Sequence, residues 1–248
     1  AARLVQPLAP WLVAPFFKEE HPALAVQCWG LTFPNPVGLA AGLDKNARLV
    51  RFWEALGFGF AEVGSVSARP SRGNPRPRLF RLPEDRALIN RMGLNNDGAE
   101  RVARRLRRLR HRRPLGINLA KTHDPNILGE AAVADFCESF RLLAPLADYV
   151  TLNISCPNTA EGKTFEDPEA LDTLLRAIFA VRRELNLSVP VLLKLSPPPS
   201  SRTVFDSQLE EIVEVARAHG IAGFVATNTA TDREGLRTDP EVLARIGP

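Results

Sequence analysis

The chain has 248 residues, 45% apolar and 24% charged, with a net charge of +4, the balance of an ordinary globule that fits one α/β barrel or two small domains. Three scattered cysteines, Cys28, Cys137 and Cys156, include no CxxC pair, which argues against a disulfide framework or zinc site and for a reducing compartment. The four histidines show no metal-ligand spacing.

Residues 4–17 are apolar but broken by Pro7, Pro10 and Pro15, too short for the about 20 residues of a spanning helix. They read as an interfacial segment or a lid over an apolar channel. Residues 1–29 are accordingly expected to form an N-terminal extension, and 30–248 a single domain. From residue 37 onward, short apolar runs alternate with amphipathic stretches. Strands are expected at 37–41, 60–66, 115–120, 149–155, 191–196 and 223–229, and helices at 46–56, 97–112, 130–146, 168–186 and 206–219. Asp97 stands ahead of the second helix, and Asp167-Pro168 offers the fourth an N-cap and N1 pair. Such alternation implies parallel strands joined by right-handed crossovers. Residues 67–96, rich in Arg, Pro and Asn, are the one long connection with no regular pattern of their own, a feature more often functional than idle.

Two uses of charge stand out. Eight arginines and no acid fall within 101–113, where Val102, Leu106 and Leu109 recur at i, i+4, i+7. That spacing predicts an amphipathic helix with a solvated basic face. An anionic membrane surface is the alternative, and nucleic acid ranks last because no aromatic residues interleave the charges. Only five of the 32 basic residues are lysine, yet Lys45, Lys121 and Lys194 fall at or just past strand ends. An ammonium is not interchangeable with a guanidinium, so Lys45 and Lys194 are expected to touch a cofactor or substrate.

Polar residues gather at the strand ends that precede helices: Lys45, Ser65, Asn118, Asn153, Lys194 and Thr227-Asn228-Thr229. A parallel barrel and a doubly wound sheet both collect ligands there, so the clustering does not choose between them. The absence of GxGxxG and GxxxxGK weakens dinucleotide and P-loop readings. The most informative stretch is Asn153-Ile154-Ser155-Cys156-Pro157-Asn158. Two carboxamides flank a thiol at a strand end. Amide forks suit a flat polar ligand, and a thiol suits proton abstraction.

Four further motifs carry a resemblance. Ala40-Ala41-Gly42-Leu43-Asp44-Lys45, Gly64-Ser65-Val66, Asn74-Pro75-Arg76-Pro77-Arg78-Leu79-Phe80-Arg81-Leu82 and Ile89-Asn90-Arg91-Met92-Gly93 resemble the dihydroorotate dehydrogenases, in particular the membrane-associated, quinone-reducing class 2. The resemblance implies an FMN-binding (β/α)8 TIM barrel behind a short N-terminal helical extension. It implies oxidation of dihydroorotate to orotate in pyrimidine synthesis, with quinone as final acceptor, on the cytoplasmic side of the cell membrane as a peripheral protein. Carried over by position, Ala41, Gly42, Lys45, Ser65, Asn118, Asn153, Lys194 and Thr227 are expected at FMN. Lys45, Asn90, Arg91, Met92, Gly93, Leu94, Asn153, Asn158, Asn228 and Thr229 are expected around the pyrimidine. Cys156 is the expected base, Thr159 a proton relay, and Arg81 a residue lining the quinone route.

The resemblance is mixed at one corner. Class 2 members are similar to this chain except that serine stands for Cys156 and phenylalanine for Leu94; class 1 members have cysteine and leucine there. A class 1-like electron exit to fumarate or a soluble partner is therefore the alternative within enzymes, and a flavin-free barrel remnant the alternative outside them. The family also has two further strands, whose glycine-rich turns hold the FMN phosphate. With six recognisable strands before Pro248, the last two βα units are expected to be missing from this chain.

Overall fold

The structure, a computed structural model, describes residues 13–17, 21–154, 165–198 and 206–246. After a four-residue helix, α1 (Ala14–Phe17), comes an antiparallel hairpin of β1 (Val26–Cys28) and β2 (Leu31–Phe33). Then follow β3 (Gly38–Leu39), α2 (Val50–Ala55), β4 (Phe60–Val66), a second hairpin of β5 (Leu79–Leu82) and β6 (Ala87–Asn90), and α3 (Ala99–Leu106). The chain continues through β7 (Leu115–Leu119), α4 (Gly129–Leu143), β8 (Tyr149–Asn153), α5 (Pro168–Glu184), β9 (Val191–Lys194), α6 (Ser207–Ala218), β10 (Gly223–Val225) and α7 (Pro240–Ile246).

Strands β3, β4, β7, β8, β9 and β10 form one parallel sheet in that order. The order follows the chain without reversal. A doubly wound sheet needs a reversal to place helices on both faces; a barrel wall does not. Helices α3 to α6 pack on one another in succession. The six units therefore match part of a (β/α)8 barrel, with β3 and β10 bounding the sheet among the described residues.

Strand alternation separates two interiors. Ala61, Val63, Leu115, Ile117, Leu119, Val150, Leu152, Val191 and Leu193 face the helices in the main apolar core. The opposite face carries Phe60, Glu62, Asn118, Tyr149, Thr151, Asn153, Leu192 and Lys194. Register slips in β4 between Val63 and Val66. This irregularity turns Ser65 inward while Val66 rejoins the helix-side core, as a bulge re-aims a side chain. At the N-terminal strand ends Phe33, Tyr149 and Leu192 cluster with Phe60 and the β1–β2 hairpin. Trp29 sits 5.8 Å from Tyr149, and its indole N–H donates to the Ala222 carbonyl at 3.2 Å.

Three local expectations change. Residues 67–96 contain the β5–β6 hairpin, pinned at its base by paired backbone hydrogen bonds between Ser71 and Asn96. Its turn reverses at Arg86, which takes a left-handed φ of 49°, and no Asn-Gly or Asp-Gly pair announces it. Helix α3 stops at Leu106, short of 112, although Leu109 still packs on the core. Asp97 does not cap it: Gly98 is the N-cap, and the Asp97 carboxylate receives Arg48 at 2.6 Å and Arg105 at 3.0 Å. Burial pushes that carboxyl up, but the two guanidiniums outweigh it and leave it below the usual range. Asp167 does cap α5, accepting the Ala170 N–H at 2.9 Å, with Pro168 at the first helical position.

Candidate active site

The C-terminal ends of the parallel strands bring four expected site residues into one hydrogen-bonded chain. The Ser65 hydroxyl donates to Asn118 Oδ1 at 2.5 Å. Asn153 Nδ2 donates to Ser65 Oγ at 3.1 Å, and Asn228 Nδ2 donates to Asn153 Oδ1 at 2.8 Å. β4, β7, β8 and the segment after β10 each contribute one member. Ser65, Asn118 and Asn153 are buried, and Asn228 is half-buried. Backbone bonds hold the ends together: Leu195 N–H donates to Val225 O, and Asn228 N–H to Leu195 O.

Lys194 pairs in register with Asn153 on one side and Val225 on the other. With Ala41 and Glu62 it borders a cavity of about 490 Å³ whose lower wall is the aromatic cluster at the strand starts. Gly42 donates its N–H to the Gly64 carbonyl at 2.8 Å. Its φ of +117° is a glycine conformation, and no atom lies within 4 Å of where a β-carbon would stand, so backbone lies open to close approach here. Lys45 is placed by its neighbours. Buried Asp44 accepts the backbone N–H groups of Arg48 and Leu49 at 2.8 and 2.7 Å, and Asn46 accepts the Asp97 N–H at 2.8 Å. Thr227 donates its hydroxyl to the adjacent Asn228 carbonyl, and Thr229 is exposed.

The second hairpin holds the remaining described positions. Asn90 ends β6, cross-strand from Leu79. Arg91 lies 5.1 Å over the Phe80 ring and donates to the Ile246 carbonyl at 2.7 Å, so its guanidinium fastens the hairpin to the end of α7. Met92 accepts the Asn74 N–H through its carbonyl. Gly93 and Leu94 both take left-handed φ, and Leu94 is buried. Arg81 lies on the same hairpin face as exposed Leu79 and Leu88. Asn158, Cys156 and Thr159 lie outside the described residues. Lys121 differs from the other two strand-end lysines: its buried ammonium donates to the Asp124 and Ile127 carbonyls at 3.2 and 2.8 Å and so closes the loop after β7.

Glu62 was not legible as a site residue. Its buried carboxylate accepts Asn118 Nδ2 at 2.9 Å and the Thr151 hydroxyl at 3.0 Å. Burial, reinforced by the nearby Glu62 charge, pushes the Tyr149 phenol above its usual range. The available signal was a lone acid in an otherwise apolar strand, since a buried charge needs partners.

A family model described as Dihydroorotate dehydrogenase matches residues 23–247. The dihydroorotate dehydrogenase (quinone) of Thermus thermophilus is 48% identical over 228 residues, covering 91% of this chain and 62% of its own length. That of Rhodococcus erythropolis is 46% identical over 249 residues, covering all of this chain and 67% of its own. The crystal structure of DHODH from Eimeria tenella in complex with ferulenol superposes with a TM-score of 0.79 at 32% identity, covering 94% of this chain and 68% of that one. The chain thus spans somewhat under two thirds of the Thermus relative's length. With the sequential parallel sheet, the amide chain at its C-terminal ends and these matches in agreement, the chain belongs to the dihydroorotate dehydrogenase family.

Proposed function

We propose that the protein oxidises dihydroorotate to orotate with FMN as cofactor and passes the electrons to quinone, serving pyrimidine synthesis. The observation that carries this reading is the chain Ser65–Asn118–Asn153–Asn228. Orotate is flat and carries a carboxylate, imide carbonyls and N–H groups, and oriented amides with a nearby ammonium complement all three. The quinone-linked names of the Thermus and Rhodococcus relatives support the acceptor.

The residues present fit a flavin. Lys194 and Ala41 border a cavity of suitable chemistry, and Gly42 leaves backbone open to a ring system. Ala41, Gly42, Lys45, Ser65, Asn118, Asn153, Lys194 and Thr227 would hold it. When bound, FMN supplies the hydride acceptor for the reaction. The Lys194 ammonium offers a positive charge to an electron-rich partner in a partly buried site. Lys45, Asn90, Asn153, Asn158, Asn228 and Thr229 orient the pyrimidine, with Met92, Gly93 and Leu94 shaping its surroundings. Cys156 takes the proton from C5 of dihydroorotate, and Thr159 relays it outward. A thiol needs less help than a hydroxyl for this step, being a few per cent thiolate at neutral pH at an ordinary pKa of about 8.5.

At the membrane side, α1 exposes Phe16 and Phe17 at 81% and 58%, and Arg81 shares a hairpin face with exposed Leu79 and Leu88. These apolar surfaces support peripheral contact with a bilayer and a quinone route beside Arg81. Among the described residues no helix is long and apolar enough to cross a membrane. Cys156 and Leu94 favour the second reading, an exit to fumarate or a soluble partner. The test is a visible flavin band in the purified protein, followed by dihydroorotate turnover with ubiquinone, menaquinone or fumarate. Turnover with a quinone is expected. Fumarate alone would replace the acceptor, and a colourless protein that binds no added FMN would sink the reading.

A further inference from the structure

We infer that Glu62 is a positioning residue whose buried carboxylate sets the direction of one hydrogen-bond chain and thereby the amide orientation of Asn118, Asn153 and Asn228. The inference rests on the proposed function, which places those amides against cofactor and substrate. Its physical basis is the acceptor-only character of a carboxylate.

Two donors converge on Glu62 from β7 and β8: Asn118 Nδ2 at 2.9 Å and the Thr151 hydroxyl at 3.0 Å. Asn118 must therefore turn its NH₂ toward Glu62 and its Oδ1 toward Ser65. The Ser65 hydroxyl has one proton and gives it to that oxygen at 2.5 Å. Having done so, Ser65 acts as the acceptor for Asn153 Nδ2 at 3.1 Å. That turns Asn153 Oδ1 to Asn228, whose Nδ2 donates at 2.8 Å. Every donor in the series points toward Glu62. Reversing any one amide would set oxygen against oxygen or NH₂ against NH₂, and at buried Asn118 and Asn153 such mispaired groups are costly. One acid deep in β4 thus dictates which edge each carboxamide presents at the strand ends.

Glu62→Gln tests this, because glutamine keeps the shape but adds a donor, allowing the series to run backwards. The direct readout is the side-chain amide resonances of Asn118, Asn153 and Asn228 in asparagine-labelled protein, flavin-free and flavin-loaded. All three are expected to move in Glu62→Gln, and orotate binding to weaken about tenfold or more, the scale of one mispaired hydrogen bond. Thr151→Val disturbs the same cavity but leaves the carboxylate an acceptor, so Asn153 and Asn228 are expected to stay in place. If Thr151→Val moved them as far as Glu62→Gln does, packing and not polarity would be at work, and the inference would fall. It falls equally if Glu62→Gln leaves Asn153 and Asn228 unmoved, or moves them without weakening orotate. Should Glu62→Gln not fold, Ser65→Ala cuts the series at its middle: Asn153 and Asn228 must shift while Asn118 stays, and the opposite pattern overturns the inference. A wild-type protein that binds neither FMN nor orotate would instead defeat the proposed function, while the amide resonances would still decide whether Glu62 orders the chain.

Discussion

The ring of Tyr149 fills the space a side chain at Gly116 would need: a β-carbon there would stand 2.1 Å from the ring. The two residues are register partners on β7 and β8, and the ring is wedged among Trp29, Phe60 and Glu62. Gly116→Ala is expected to destabilise by about 1–3 kcal/mol, the usual cost of overpacking. Paired with Tyr149→Ala it should cost less than the sum of the two single changes, because the second removes the clash. Urea unfolding of the three variants checks this; strict additivity would mean that ring and glycine are not in competition.

The strand-end lysines separate by task. Lys121→Met removes the donor to two loop carbonyls and should lower stability by about 1–3 kcal/mol without changing the flavin content. Lys194→Met should do the reverse, with flavin lost on gel filtration and a smaller change in unfolding midpoint. The flavin-to-protein absorbance ratio and a denaturant titration on both variants give the comparison. Equal flavin loss in both would refute the division.

Asp85, at the tip of the β5–β6 hairpin, accepts the Arg237 N–H at 2.6 Å, the Thr238 hydroxyl at 2.5 Å and the Thr238 N–H at 3.0 Å. The Arg237 backbone bond first, then the Thr238 hydroxyl, hold its carboxyl below the usual range. A group depressed on folding contributes stability above its unfolded pKa and loses it as pH falls through the folded value. Hydrogen-exchange protection at Arg237 and Thr238 should therefore hold from neutrality to the ordinary aspartate range and decline below it. In Asp85→Asn protection should be lower at neutral pH and lack that acid decline. Identical profiles for the two proteins would show that Asp85 does not fasten the hairpin.

The base assignment makes a kinetic prediction. If Cys156 accepts the C5 proton, turnover should rise with pH along a limb set by a thiol, ordinarily near about 8.5. Cys156→Ser should then lower kcat by about 10²- to 10⁴-fold, the usual contribution of a general base, and displace the limb. An unchanged pH–rate profile in the serine variant would remove Cys156 from the mechanism.

Much of this was legible along the chain because it depends on near neighbours. Hydrophobic period marked the six strands of the parallel sheet and five of the helices, but neither strand of the β1–β2 hairpin; Asp167-Pro168 marked a helix start, since caps and amphipathic faces are local. The motifs around Gly42, Ser65 and Asn90 pointed to the family. The β5–β6 hairpin was hidden by its irregular turn at Arg86 and by Arg81 within β5. The choice of barrel over doubly wound sheet lay in strand order, which no local pattern encodes. Glu62 was hidden for a similar reason. A single acid in a strand reads as an anomaly until Asn118 and Thr151, drawn from two other strands, donate to it. Sequence by itself determined which elements form and which side chains stand at their ends. Only the tertiary structure decided which of those ends meet, and in which direction their hydrogen bonds run, because a hydrogen bond between strands is set by register and not by proximity along the chain.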